Sequence, residues 1–261
     1  MTKTALVTGA ASGLGYELAT LLAKDSYKLI LVDIDAVSLA NVKAELEMKF
    51  SVEVVTLVKD LGVKNIAEAI LHDIKDEPID VLINNAGFGL FGSFVDTDWD
   101  RESEMLHVHI VTTTHLTKLV LEGMVKRGSG KILNMSSLAA FQPGPLMAIY
   151  YASKGYMLSF SEAISNELRG TGVTVTALCP GPTETGFQKT VSADANTNKI
   201  TFNMASAKSV AAYGYRSMQK GKTVAIPGIL NKFLATIHRF VSRGMAARIV
   251  RNIQEKNRNE Q

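Results

Sequence analysis

Seven short runs rich in β-branched residues alternate with longer segments of helical period, and this alternation constrains the fold more than any other feature of the chain. The runs are Thr4–Val7, Leu29–Val32, Val52–Leu57, Val81–Ile83, Lys131–Met135, Val173–Leu178 and Thr223–Ile226. Several are almost continuously apolar, as parallel strands covered on both faces must be. The helical segments lie near 14–24, 36–49, 63–75, 99–127, 149–169 and 205–219. Repeated β-α-β units predict an α/β fold: a doubly wound parallel sheet of about seven strands, flanked by helices and joined by right-handed crossovers. No Ser/Gly/Pro-rich linker divides the 261 residues, so residues 1–226 read as one sheet-bearing domain and 227–261 as its helical extension.

Composition narrows the function classes. An apolar fraction of 46% excludes a disordered chain, and no regular period supports a repeat fold. A single cysteine, Cys179, excludes an internal disulfide and points to a reducing, cytoplasmic setting. The segment MTKTALVTGA leads straight into a strand with no apolar signal core. The longest uncharged run, 132–153, contains Asn134, Gln142, Pro143 and Pro145 and does not read as a membrane span. The net charge of +3 is uneven: from Gly228 onward seven Lys/Arg face two Glu, giving +5 there and −2 over residues 1–227. A mildly acidic body argues against nucleic acid as a partner. No metal is expected.

The first strand runs into Thr8-Gly9-Ala10-Ala11-Ser12-Gly13-Leu14-Gly15, which opens the next helix. Glycines at that place let backbone N–H groups and a helix N-terminus approach a pyrophosphate, so Gly9, Ser12, Gly13, Leu14 and Gly15 are candidate cofactor-binding residues. Eighteen residues after Gly15, the second strand ends in Asp33. A carboxylate there accepts hydrogen bonds from ribose hydroxyls and repels a 2′-phosphate, unless it merely caps the helix near Ala36. No Lys or Arg stands in the loop or at 33–35, so NAD is favoured over NADP. After strand three come Asp60 and Leu61, where Asp60 either meets the adenine or caps a helix.

With Asn84-Asn85-Ala86-Gly87, Ser137, Tyr150-x-x-x-Lys154 and Pro180-Gly181-Pro182 in order after that loop, the chain resembles the short-chain dehydrogenase/reductase family over residues 3 to about 226. The resemblance implies a Rossmann-like NAD-binding domain. It also implies an NAD-dependent oxidoreductase interconverting a secondary alcohol and a ketone, and assembly as a homodimer or homotetramer. By the same resemblance, Ser137 hydrogen-bonds the reacting oxygen and Lys154 also holds the nicotinamide ribose. Asn85, Ala86 and Gly87 lie beside the adenosine half, and Pro180, Gly181, Thr183 and Thr185 close over the nicotinamide. The residues argue the chemistry independently: Tyr150 and Lys154 share one helix face, and an ammonium there is expected to lower the phenol's pKa toward a usable acid/base. Cys179 reads as packing. A non-catalytic dinucleotide-binding regulator or scaffold on the same fold is the alternative.

One position departs from the family. Its asparagine in the helix before strand five, which anchors a water on the proton path, is replaced here by His109 within Met105-Leu106-His107-Val108-His109. His109 is a candidate for a shortened relay or a satisfied core histidine. Phe88, Leu90, Phe91 and Phe94, then Leu138, Phe141, Pro143, Leu146 and Met147, supply an apolar substrate inventory without Arg or Lys, favouring a steroid-like, terpenoid or long-chain alcohol or ketone. Residues 182–204 read as a lid. From Ile229 to Val241 apolar residues recur at helical spacing with Lys232, Arg239 and Arg243 between them, which suits docking over the substrate mouth, a subunit interface, or peripheral contact with an anionic membrane.

Overall fold

β1 (Thr4–Thr8) is buried along its whole length, with Leu6 turned to one face of the sheet and Ala5 and Val7 to the other. Such a strand must lie at the centre. In the computed structural model, which describes residues 2–75, 77–185, 204–237 and 240–259, β1 pairs in parallel with β2 (Lys28–Asp33) on one side and β4 (Val81–Asn84) on the other. β3 (Val54–Val58), β5 (Gly130–Met135), β6 (Val173–Leu178) and β9 (Val224–Ala225) complete a seven-stranded parallel sheet in the order β3-β2-β1-β4-β5-β6-β9. The doubly wound α/β fold expected from the alternation is therefore present. The order reverses between β1 and β4, and the loops leaving their C-terminal ends meet there.

Helices cover both faces. α1 (Gly13–Lys24), α2 (Ala36–Phe50) and α7 (Ala207–Gln219) bury Leu18, Leu22, Leu39, Leu46, Val210 and Met218 against the Ala5/Val7 side. α3 (Ile66–Asp73) and the long helix before β5 bury Ile70, Leu116 and Val120 against the Leu6/Ile30/Leu82 side. α6 (Ala148–Glu167) packs on β6, and a short 3₁₀ turn (Leu138–Phe141) follows β5. Two-residue strands β7 (Thr183–Glu184) and β8 (Ala205–Ser206) pair with one another. The rest of the expected lid, 186–203, lies outside the described residues.

One expectation is corrected. The single helix read over 99–127 is α4 (Trp99–Leu106), a π-helical turn (His107–Thr112) and α5 (Thr113–Arg127). Side chains hold the wider turn: the Thr113 hydroxyl donates to the Val108 carbonyl at 3.0 Å, and that of Thr112 to the Leu61 carbonyl at 2.7 Å. The helical extension consists of two helices, α8 (Ile229–Ile237) and α9 (Arg243–Asn259), the second begun by Ser242, whose hydroxyl accepts from the Met245 N–H. Among the described residues, no helix is long and apolar enough to cross a membrane.

Candidate active site

The loop after β1 is shaped by the loop after β4. Thr8 Oγ1 accepts the N–H groups of both Asn85 and Ala86, while Asn85 Nδ2 returns bonds to the Thr8 and Gly9 carbonyls at 3.1 and 2.9 Å. Gly9 has φ +64°, and a side chain on it would run into Ala86 and Asn85. α1 then starts without a cap: Ser12 is its N-cap residue but its side chain makes no capping bond, and the first turn holds no acidic residue. The donors of Gly13, Leu14 and Gly15 at a helix N-terminus thus suit a pyrophosphate, which is the test of fit for a dinucleotide at this loop. Thr185 crosses to the same place, its methyl about as close to Gly13 as an added Cβ would allow, which brings the Pro180–Thr185 segment over the loop.

Asp33, at the end of β2, accepts from the Ala11 N–H at 2.8 Å and the Asp35 N–H at 3.1 Å. It does not cap α2; Asp35 does, accepting from Ser38. Asp33 therefore sits against the glycine loop, where a ribose is expected. Asp60 accepts from the Gly62 N–H at 2.8 Å, closing its own turn, and Asn65 rather than Asp60 precedes α3. Leu61 is buried core, its carbonyl taken by Thr112.

Ser137, Tyr150 and Lys154 come together where β5 ends and α6 begins. Ser137 Oγ accepts from the Ala139 N–H at 3.1 Å, which fixes it at the head of the 3₁₀ turn, and it also hydrogen-bonds the Tyr150 hydroxyl. Lys154 Nζ donates to the Met135 carbonyl at 3.0 Å and stands 5.7 Å from the Tyr150 ring centre. Burial pushes the Tyr150 hydroxyl up to about 12, a hydrogen bond from Ser137 opposing it only in part. Burial likewise brings Lys154 down to about 8. The lowered phenol expected from sequence is thus reversed, because desolvating the phenolate outweighs an ammonium engaged on a backbone carbonyl.

His109 is buried, and both its ring nitrogens are occupied. The Phe88 N–H donates to Nε2 at 3.2 Å, so Nδ1 carries the proton and donates to Ser153 Oγ at 2.9 Å; Ser153 in turn donates to the Tyr150 carbonyl at 2.8 Å. The ring is also why residue 87 is glycine, since a Cβ there would collide with it. Burial, then the Lys154 charge, hold the imidazole well below its usual range. Through these bonds His109 ties the β4 loop to the helix that bears Tyr150.

Buried polar residues complete the frame. Asn84 Nδ2 donates to Asn134 and Thr117, and Asn134 Nδ2 to Ser161 on α6, all buried. Ser136 donates to the Lys154 carbonyl at 2.9 Å. Leu138 remains half-buried beside the site, but Phe141 packs with Leu158, Ala177 and Cys179, and Met147 is buried, so these two act mainly as core. Cys179 is wholly buried and its thiol is pushed up to about 12, consistent with packing. Gln254 of α9 donates to the Tyr151 hydroxyl at 3.1 Å, which docks the extension beside the site.

Known proteins are similar to this chain. The short chain dehydrogenase family model matches residues 3–196. A very-long-chain 3-oxoacyl-CoA reductase of Homo sapiens is 35% identical over 180 residues, 67% of this chain and 58% of that protein. Ketoacyl reductase HetN of Nostoc sp. is 33% identical over 181 residues, 69% of this chain and 63% of that one. The matched segment thus spans about three fifths of the length of these relatives. Among solved structures, a short-chain dehydrogenase from Sphingobium yanoikuyae in complex with NADPH is 26% identical with a TM-score of 0.82, covering 99% of this chain and 98% of that one. On this evidence the chain belongs to the short-chain dehydrogenase/reductase family.

Proposed function

We propose that this protein is an oxidoreductase that uses NAD(H) to interconvert an apolar, long-chain or steroid-like ketone and its secondary alcohol. The observation that carries the reading is the convergence of Ser137, Tyr150 and Lys154 on the sheet edge that also presents the uncapped start of α1. A bound reduced nicotinamide supplies the hydride to the carbonyl carbon. Ser137 Oγ, held by Ala139, donates to the carbonyl oxygen, and Tyr150 Oη gives that oxygen its proton as the alkoxide forms. The phenolate left behind faces Lys154, whose ammonium offsets its charge. A phenol pushed up to about 12 is protonated throughout the neutral range, the form that donates to a ketone, and the same group takes the proton back in the reverse reaction.

Asp33 supports NAD: its carboxylate on the Ala11 N–H occupies the side of the loop where a 2′-phosphate would need a cation. The Sphingobium relative holds NADPH, so the cofactor preference is to be measured directly. Long alkyl ketones are favoured by the apolar loops after β4 and β5, and the oxoacyl substrates in the relatives' names belong to the same chemical class.

The test is a panel of apolar ketones followed by nicotinamide absorbance, with NADH and NADPH side by side. NADH should be preferred, and Asp33→Ala should shift the preference toward NADPH by about tenfold or more, since one removed charge repulsion is worth at least that factor. Preference for NADPH in the unaltered protein overturns the cofactor assignment, and no reduction with either cofactor overturns the reaction.

A further inference from the structure

The two extension helices have opposite faces of different use. On α9, Ala246 and Val250 are buried and Gln254 bonds Tyr151, while Met245, Ile249 and Ile253, spaced four apart, form a stripe that faces outward. On α8, Ala235 is buried and the exposed stripe carries Ile229, Leu230 and Phe233, respectively 88%, 69% and 59% accessible. Scattered exposed apolar residues need no account, but two stripes on successive helices do. Basic side chains flank them, Lys232 on α8 and Arg248 on α9, both exposed, within a segment whose charge is +5.

The topology adds a second patch. All seven strands of the main sheet are parallel, so the chain leaves β4 and β9 on the same edge. The loop after β4 carries exposed Phe94 and Val95 and leads to exposed Trp99 at the start of α4, and α8 begins four residues after β9. The exposed apolar surface therefore gathers on the edge that holds Ser137 and Tyr150.

We propose that this edge, through the outer faces of α8 and α9, is a peripheral docking surface for an anionic membrane. Apolar stripes flanked by Lys and Arg match a headgroup layer that takes the charge and an acyl boundary that takes the side chains. A second copy of the chain fits less well, because a two-fold interface would set this basic flank against itself. The surface opens the catalytic edge toward a reservoir of apolar molecules. Its test is read without turnover, so it stands or falls separately from the proposed reaction.

The full chain is floated with phosphatidylcholine vesicles and with vesicles containing phosphatidylserine, at low and high salt. The protein should rise with the phosphatidylserine vesicles, with binding weakened by about tenfold on raising salt from about 0.05 to 0.5 M. Leu230→Ser/Phe233→Ser should lose binding by about tenfold or more while circular dichroism stays unchanged, since two buried apolar side chains leave the interface. Lys232→Glu/Arg248→Glu should lose the salt-sensitive part. Absence of flotation with either vesicle at low salt overturns the proposal. So does a dimer in sedimentation that the serine variant disrupts while flotation is unaltered, which would assign the face to a second copy.

Discussion

At the scale of single residues, His109 shows how a visible departure can conceal its meaning. That a histidine stands in the family's asparagine position is plain from the sequence. Its partners are not, because Phe88 offers a backbone N–H and Ser153 sits on another helix. The neutral imidazole is a positioning group linking two segments. Since burial holds it below its usual range, the unfolded chain takes up the proton first as pH falls. Stability from this site is therefore present above about pH 6.5 and lost as pH drops toward the folded-state value. The melting temperature should fall more steeply from about pH 7 to 5 in the unaltered protein than in His109→Asn, which does not titrate. Parallel curves would contradict the neutral clamp. Tyr150 and Lys154 were legible as a pair by spacing, but the direction of the tyrosine shift was not, because burial cannot be counted from a motif.

At the scale of elements, strands and helices were legible because β-branched runs and helical periods state their type locally. The π-helical turn was not: one extra residue in a turn leaves the apolar pattern almost unchanged, and the hydroxyls that hold it reach Leu61 and Val108, one of them far off in sequence. The start of α9 has a local signal in Ser242, a residue type suited to cap a helix. What seats α6, and with it Tyr150, is the buried polar bridge Asn84–Asn134–Ser161 together with Ser136 on the Lys154 carbonyl. Asn134→Ala leaves one of the two Asn84 amide hydrogens without its acceptor and removes the donor to Ser161, so denaturant unfolding should show a loss of about 2–3 kcal/mol. Turnover should fall with it as α6 loses its seat. A loss below about 0.5 kcal/mol would mean that packing alone positions the helix.

At the scale of the whole molecule, the charge divides into a slightly acidic body and a basic extension, and the structure gives each its place. The body carries the parallel sheet, with the dinucleotide loop and the tyrosine-bearing helix on one edge. The extension docks beside Tyr151 through its inner face and turns apolar residues outward. The central claim is that Tyr150 is the proton donor to an apolar ketone. It is tested most directly by NADH-dependent reduction of such a ketone in the unaltered protein and in Tyr150→Phe, with NADH binding followed in parallel by fluorescence. The account predicts a loss of kcat of about 100-fold or more with NADH affinity unchanged, the scale expected for removing a general acid. Turnover in Tyr150→Phe within a few-fold of the unaltered protein would contradict it.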